Sequence, residues 1–190
     1  MSDLRLDPAS FELGGETENA EEGFDLLVLG LEPHLPRGVD LQWLHQVRHH
    51  LLLVARPAEV PARILVCVTA GEHGKVDVRF AERLAWQLGA SATVLSVLSE
   101  EEGPQTPPHV ERFMDSCAQA LAARGVVTKT RVRIGAAEQE ILKEIVEGRH
   151  DLLVIGGPHR TRAGKIETHS GIVQRFLSQP PPCPLLLVRR

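Results

Sequence analysis

The chain has 190 residues, of which 43% are hydrophobic and 24% are charged, and its formal net charge is -4. This is an ordinary globular composition for one main domain with an appendage, and it excludes collagen-like, coiled-coil and wholly disordered chains. The negative charge and the presence of only five Phe, two Trp and no Tyr argue against nucleic acid as a partner, because binding it requires a basic surface and stacking side chains.

The cysteines and the apolar segments indicate a compartment. Cys67, Cys117 and Cys183 form no CxxC motif and are odd in number, which favours reduced thiols. The first 19 residues are polar and acidic, unlike a signal peptide. No apolar run approaches the ~18 residues of a membrane helix. The sequence therefore predicts a cytoplasmic protein without membrane insertion.

Residues 1–24 form an acidic tail. They contain seven acidic residues and Arg5 as the only basic one, a net charge of -6, and they show no sustained apolar period. Segments of low hydrophobicity and high net charge do not bury enough apolar surface to fold. We predict that this tail is disordered, and the rest of the chain is then mildly basic.

Residues 25–60 look like a shortened copy of the end of the chain. Asp25-Leu-Leu-Val-Leu-Gly30 nearly repeats Asp151-Leu-Leu-Val-Ile-Gly156, and Leu51-Leu-Leu-Val54 repeats Leu185-Leu-Leu-Val188 in the same order. The first copy is about eight residues shorter, with 26 positions against 34 from run to run, and residues 39–50 provide an amphipathic helix. Chance similarity between leucine-rich strands is the alternative. We predict a truncated βαβ unit that docks on the main domain and extends the sheet beyond the last strand, because such a unit does not bury its apolar faces alone.

From residue 63 onward, strand-like and helix-like segments alternate. Short β-branched or leucine-rich runs predict strands, and apolar residues spaced three or four apart predict helices. The predicted strands are 64–68, 92–98, 126–134, 151–155 and 185–188. The predicted helices are 76–88, 110–124, 136–147 and one marked by Ile172, Val173, Phe176 and Leu177.

The alternation defines the fold class. A βαβαβαβαβ order predicts an α/β protein with an open parallel sheet, right-handed crossovers and helices on both faces. The continuous apolar runs at 64–68 and 151–155 are typical of strands that are covered on both faces. Residues 126–134 alternate between apolar and polar, which places that strand at an edge of the sheet.

A candidate anion site follows two of the predicted strands. In open parallel sheets, ligands bind at the carboxyl ends of the strands where the connections reverse direction, here after 64–68 and 151–155. Two glycines then allow close backbone approach, the next loop is basic, and a helix N-terminus near residue 170 favours an anion. We predict a phosphate or nucleotide site, with a solvated basic loop and a helix cap as the alternative. The candidate residues are Thr69, Ala70, Val97, Ile155, Gly156, Gly157, His159, Arg160, Arg162, Lys165, Ser170 and Gly171.

Over residues 63–190 the sequence resembles the universal stress protein family. The resemblance rests on Ile64-Leu-Val-Cys-Val68, Gly135-Ala-Ala-Glu-Gln-Glu-Ile-Leu142, Asp151-Leu-Leu-Val-Ile-Gly156 and Cys183-Pro-Leu-Leu-Leu-Val-Arg189. It implies a five-stranded flavodoxin-like or Rossmann-like sheet in the order 3-2-1-4-5. It also implies dimers or tandem domains paired through the last strand, with residues 25–60 as the remnant of a tandem partner.

The sequence departs from the pattern of the family's nucleotide-binding members. Those carry an Asp after the first strand, and a Gly-x-x-Gly, nine residues, Gly-Ser/Thr pattern after the fourth. Here Thr69 stands at the Asp position and His159 at the second glycine. Counting nine residues gives His169-Ser170, whereas the helix phase gives Ser170-Gly171, and both registers stay open. ATP or AMP is the ligand that the family implies, but a side chain at 159 obstructs a triphosphate, so we expect weak or lost ATP binding.

Other groups of residues give no reaction centre. His45 and His49 lie four apart on a predicted helix, but no nearby Asp, Glu or Cys completes a metal shell, so we predict a surface helix and no metal. The Gly-x-Ser-x-Gly and Walker motifs do not occur. Adjacent His169 and Ser170 do not by themselves form a pair of nucleophile and base. We therefore predict that the protein is not an enzyme.

These observations favour a non-catalytic regulatory module of the universal stress protein type. We expect it to act by association, as a homodimer paired through its last strand and with a regulatory protein whose identity the sequence does not give. Two alternatives stay open. One is an ATP-binding universal stress protein with slow hydrolysis, and the other is a cytoplasmic regulatory domain of a transporter.

Overall fold

The computed structural model describes most of the chain, in the ranges 26–30, 49–55, 59–102, 105–157, 159–160, 166–167 and 170–189. The predicted acidic tail and most of the predicted helix 39–50 lie outside these ranges. Within them, no helix has both the length and the apolar character needed to cross a membrane.

The strands and helices alternate from residue 63 as predicted. The strands are β1 Leu26–Gly30, β2 His50–Val54, β3 Arg63–Cys67, β4 Ser91–Leu98, β5 Thr128–Ile134, β6 Leu152–Gly156, β7 His159–Arg160, β8 Ile166–Glu167 and β9 Leu185–Val188. The helices are α1 Glu72–Leu88, α2 Pro108–Ala123, α3 Ala137–Gly148 and α4 Ser170–Ser178, with a 3₁₀ turn at Glu100–Glu102. The short strands β7 and β8 were not predicted.

Seven of the strands form one open sheet in the order β1-β2-β9-β6-β3-β4-β5. The neighbours from β9 to β5 are parallel, which confirms the predicted α/β, Rossmann-like sheet with the order 3-2-1-4-5 and with β5 at an edge. The chain steps outward from β3 to β4 and β5, and then returns to β6 on the other side of β3. The carboxyl ends of β3 and β6 therefore flank the switch point at which ligands bind in such sheets.

Helices cover both faces of the sheet, as predicted. α1 and α2 pack on one face, against a core that includes Ile64 and Val66 of β3. α3 and α4 pack on the other face, against a core that includes Leu65 and Cys67 of the same strand. Successive residues of a strand point to opposite faces. Because helices cover both faces, every residue of β6 and β9 is buried. This explains the unbroken apolar runs of the central strands.

β1 and β2 extend the sheet beyond β9. They are parallel to each other, and β2 pairs antiparallel with β9. β2 begins at His50, so the prediction that the surface helix extends to this residue is wrong. Nδ1 of His50 accepts a hydrogen bond of 2.9 Å from the Arg189 amide, and its ring lies 4.3 Å from the ring of Phe80. His50 therefore fastens β2 to the main domain, and β2 occupies the edge of β9 that the predicted homodimer would use.

The starts of several elements are set by polar contacts that apolar periodicity does not reveal. α1 begins at Glu72, four residues before its predicted start. Its first turn is polar, so apolar periodicity did not reveal it. Glu72 lies where the helix dipole favours a carboxylate, and its carboxylate is 2.6 Å from Nζ of Lys75. At the amino ends of the strands, the Asp151 carboxylate accepts hydrogen bonds from the amides of Ala62, at 3.1 Å, and Arg63, at 2.8 Å. Asp151 thus joins the starts of β3 and β6.

Candidate functional site

A cavity of about 80 Å³ lies at the carboxyl ends of β3, β4 and β6, at the switch point of the sheet. Residues of α3 and α4 also line it. The lining residues are Cys67, Val68, Thr69, Leu95, Val97, Ala137, Ile141, Ile155, Gly156 and Ile172. Most of these side chains are apolar, and none carries a formal charge. The cavity therefore suits an apolar group better than a charged one.

The structure brings together four of the predicted site residues. Thr69, Val97, Ile155 and Gly156 all line the cavity. Thr69 is exposed at the end of β3, whereas Ala70, the next residue, is half-buried and is not part of the lining.

Sequence reasoning missed the apolar part of the lining. Leu95 comes from the middle of β4, Ala137 and Ile141 from α3, and Ile172 from the first turn of α4. No motif marks these residues, because they are ordinary core residues in the sequence. Their only signal is that inward-facing positions near the carboxyl ends of strands, and on the helices that follow, converge on the switch point.

Gly157 has a structural role in place of the predicted contact with a ligand. Its amide donates a hydrogen bond of 2.8 Å to the Val188 carbonyl, so it is not available to a phosphate. A Cβ at this position would lie 3.2 Å from the same carbonyl oxygen. The glycine therefore allows the chain leaving β6 to lie close to the end of β9.

The predicted basic loop begins and ends in a small hairpin. β7 pairs antiparallel with β8, so that His159 is opposite Glu167 and Arg160 is opposite Ile166. Arg162 and Lys165 lie outside the described residues, and the structure describes only the backbone of His159 and Arg160. This part of the predicted phosphate site remains a prediction.

α4 begins at Ser170, which places Ser170 and Gly171 in its first turn. Both registers left open by the sequence include Ser170, so the start of α4 does not choose between them. Gly171 is exposed, and a Cβ there would have no atom within 4 Å. The structure gives this glycine no steric role of its own.

Cys67 places a thiol in the lining. Burial raises its pKa far above the usual range of a thiol, with smaller contributions in the same direction from Cys183 and Glu144. The thiolate is the reactive form of cysteine, so this group stays protonated and unreactive near neutral pH. The part of the chain that the structure describes also contains no group of three or more His, Cys, Asp or Glu residues arranged to hold a metal ion.

A buried ion cluster fastens α3, which carries two of the lining residues, to β5. Glu144 is 2% exposed, and its carboxylate accepts a hydrogen bond of 2.9 Å from Nε of Arg133 and lies 3.1 Å from Nε of Arg131. Arg133 also contacts Glu140 at 3.3 Å and Glu147 at 2.6 Å. The hydrogen bonds to Glu144 and Glu147 raise the pKa of Arg133, which therefore stays charged. A second ion pair, Nε of Arg175 to Glu138 at 2.8 Å, joins α4 to α3.

His150 lies just beyond α3 against the same cluster. It is 9% exposed, and a Cβ at Gly148 would collide with its ring. Neither of its ring nitrogens has a hydrogen-bond partner among the described residues, although Nε2 is 3.6 Å from Oε1 of Glu144. Burial lowers the pKa of His150, because desolvation outweighs the opposing effects of Glu144, Asp151 and the backbone of Arg63. The imidazole is therefore neutral in the folded protein at neutral pH.

This burial predicts a loss of stability in mild acid. The unfolded chain takes up a proton on His150 near the ordinary pKa of ~6.5, whereas the folded chain takes it up only at lower pH, so the free energy of unfolding falls as pH drops below ~6.5. We expect wild-type protein to lose more stability than His150→Gln between pH 7.5 and 5.5, measured by urea unfolding. The matched control is His109→Gln, at an exposed position, which should keep the wild-type profile. Parallel profiles for wild type and His150→Gln would show that His150 is not responsible.

Comparison with protein-family models completes the description of this site. The model of the universal stress protein family matches residues 62–189, or 128 of the 190 residues. The chain belongs to the universal stress protein family. The resemblance read from the sequence is confirmed, and the cavity lies within the universal stress protein domain.

Solved universal stress proteins share this fold at low identity. UspA from Lactobacillus plantarum aligns with a TM-score of 0.57 and 19% identity, over 70% of this chain and 100% of that chain. A universal stress protein from Archaeoglobus fulgidus DSM 4304 aligns with a TM-score of 0.63 and 13% identity, over 87% of this chain and 61% of that chain. A universal stress protein in complex with cAMP has a TM-score of 0.53 and 18% identity, over 68% of this chain and 98% of that chain. Comparison with curated proteins finds no match.

Proposed function

We propose that this chain is a non-catalytic regulatory module of the universal stress protein family, in which tight binding of ATP has been lost. The observation that carries the proposal is the lining of the cavity: Thr69 lies just beyond the end of β3, and none of the described lining residues carries a carboxylate. A magnesium-bound triphosphate requires oxygen ligands for the metal, and carboxylates are the usual protein source of them. The family pattern has an Asp at the position of Thr69.

The size of the cavity supports the same proposal. Its volume of about 80 Å³ is below the ~300–1,000 Å³ of pockets that enclose most of a small-molecule ligand. The apolar lining can bury part of a ring system, and none of the described residues that form it offers a charged side chain to a phosphate. The protonated Cys67 thiol and the lack of a nucleophile activated by a neighbouring base among the lining residues favour association over catalysis.

An ATP-binding universal stress protein with slow hydrolysis is the second candidate function. It is favoured by the position of the cavity at the switch point, and by the related fold of a universal stress protein in complex with cAMP. In this candidate, the basic residues between β7 and β8 compensate for the absent carboxylate. The two candidates differ in the affinity for nucleotide.

Calorimetric titration with ATP and with AMP, each with magnesium, tests the proposal. We expect dissociation constants weaker than ~1 mM, which corresponds to a binding free energy smaller than ~4 kcal/mol. We also expect freshly purified protein to show no nucleotide absorbance. Micromolar affinity, or copurified nucleotide, would overturn the proposal in favour of the second candidate.

A gain-of-function variant tests the reason for the weak binding. Thr69 is exposed at the rim of the cavity, so Thr69→Asp restores a carboxylate without burying a charge. We expect it to tighten binding of magnesium ATP by about tenfold or more, since hydrogen bonds to charged groups contribute ~1.5–3 kcal/mol. Asn has about the same size as Asp but carries no charge, so Thr69→Asn should bind magnesium ATP with the wild-type affinity. Equal affinities for the two variants would show that the missing carboxylate is not the cause.

A further inference from the structure

The two halves of the sequence repeat have the same strand register. Residues 27–30 of β1 pair in order with residues 51–54 of β2. Residues 153–156 of β6 pair in the same order with residues 185–188 of β9. These are the positions that the sequence repeat makes equivalent, so the likeness is in three dimensions as well as in composition. Chance similarity between leucine-rich strands does not require matched pairing.

The pairing between β2 and β9 has the pattern of a two-fold axis. Leu52 pairs with Leu186, its own equivalent in the repeat, and Leu51 pairs with Leu187. The mirror pair, Leu53 with Leu185, follows on the other side. In a symmetric dimer interface residue i contacts j of the partner while j contacts i. β2 and β9 meet in this way within a single chain.

The faces of the strands agree with this symmetry. Leu51 and Leu53 are each 2% exposed and belong to the same core as Leu185. Leu52 and Leu186 contact the core on the opposite face. The two-fold axis that relates the two strands is therefore perpendicular to the sheet. The sheet continues across the pair of β2 and β9.

The likeness to a longer solved structure is not confined to the residues of the family match. The family match, residues 62–189, holds 128 of the 190 residues, so an alignment over 87% of the chain must extend to residues before 62. That alignment uses 61% of the Archaeoglobus fulgidus DSM 4304 chain. The likeness of fold therefore extends into the part of the chain that precedes the family match.

We propose that β2 occupies, within one chain, the place that β9 of a second copy would take. The edge of β9 is then a self-complementary surface, a short apolar strand without charges of the kind that pairs with another strand when left open. β2 covers it, so the intact protein does not dimerise through β9. When β2 is displaced, the edge becomes available to a second copy in the same register. This differs from the homodimer through the last strand that the sequence predicted.

Disulfide trapping in the full-length chain tests the first part of the proposal. Residues directly opposite in an antiparallel pair have Cα atoms ~4.5–5.5 Å apart, within the range that a disulfide spans. We expect Leu52→Cys/Leu186→Cys, with Cys183 replaced by Ser, to form an intrachain disulfide and to remain monomeric by light scattering. Val28→Cys/Leu186→Cys is the control, because position 28 lies two strands away at ~9.5 Å and should not crosslink. An interchain disulfide, or free thiols under oxidising conditions, would overturn the proposal.

Displacing β2 tests the second part. Leu51→Asp/Leu53→Asp places two carboxylates in the buried face of β2 and should release it from β9, so we expect the mass to double with rising concentration. With Leu186→Cys added, the two copies should crosslink through position 186, which the two-fold register places opposite itself. Leu26→Asp/Val28→Asp, at positions that are 46% and 56% exposed in β1, should remain monomeric. A folded monomer in the Leu51→Asp/Leu53→Asp variant would overturn this part. If that variant unfolds, the crosslink in the intact chain still decides where β2 pairs.

Discussion

Arg133→Met is expected to lower the free energy of unfolding by about 3 kcal/mol, the effect typical of removing one partner of a buried ion pair. The substitution leaves Glu144, 2% exposed, without the hydrogen bonds that it accepts from Arg133. Arg131 keeps one contact with this carboxylate at 3.1 Å, but its side chain is 54% exposed, so its compensation is partial. Urea unfolding at neutral pH measures the change.

The double substitution Arg133→Met/Glu144→Met distinguishes the effect of an unpaired charge on stability from the effect of lost packing. Replacing both partners of a buried pair by apolar side chains is often close to neutral, so we expect the double variant to regain most of the stability lost in Arg133→Met. The control is Arg175→Met, whose partner is Glu138 and whose side chain is 59% exposed; it should change stability by less than ~1 kcal/mol. If the double variant is at least as unstable as Arg133→Met, the cluster acts through packing and not through an unpaired charge.

The architecture could be predicted because each strand and helix from residue 63 onward has its own apolar pattern in the sequence. The apolar runs of β3 and β6 predict strands covered on both faces, and α1 and α3 lie on opposite sides of them as required. Alternation in β5 identifies an edge strand, although the sequence does not say what its polar side chains do. Arg131 and Arg133 face Glu144 on α3, and no spacing rule connects these positions.

The candidate site was predicted less completely, for a physical reason. Thr69 and Gly156 were found because they follow strands and occupy positions of a family motif. Ile141 and Ile172 line the same cavity, but in the sequence they are ordinary apolar residues of amphipathic helices. Only the packing of α3 and α4 over the ends of the strands brings them to the site. Conversely, Gly157 was predicted to contact a ligand because glycine allows close backbone approach, but its amide donates a hydrogen bond to β9.

The repeat shows where sequence and structure each contribute. The sequence alone gives two leucine-rich runs in the same order, and it places the extra unit beyond the last strand. It does not give the direction of β2, which is antiparallel to β9 while being parallel to β1. That direction turns a duplicated unit into a substitute for a second copy, since a parallel arrangement would lack the two-fold register.

Gly74→Ala is expected to destabilise the protein by about 1–3 kcal/mol, in the range of overpacked sites. Gly74 lies in the first turns of α1, a position where alanine would normally be favoured by helix propensity. A Cβ there would overlap the backbone carbonyl oxygen of Thr69 and would lie 2.8 Å from Cζ of Phe113. The carbonyl belongs to the loop that leaves β3, so either α1 or that loop must move. Gly74 was not among the predicted site residues, although a glycine inside a helix is itself a signal of close approach.

Movement of the loop after β3 in Gly74→Ala would also affect the cavity, because Thr69 lines it. Gly171→Ala is the matched control, since it also lies in the first turn of a helix and a Cβ there has no atom within 4 Å; we expect unchanged or slightly higher stability. Urea unfolding compares the two variants. In the Thr69→Asp background, Gly74→Ala should also weaken the gained binding of magnesium ATP, because the displaced loop carries the new carboxylate. Equal stabilities for Gly74→Ala and Gly171→Ala would mean that α1 does not depend on close contact with the loop after β3.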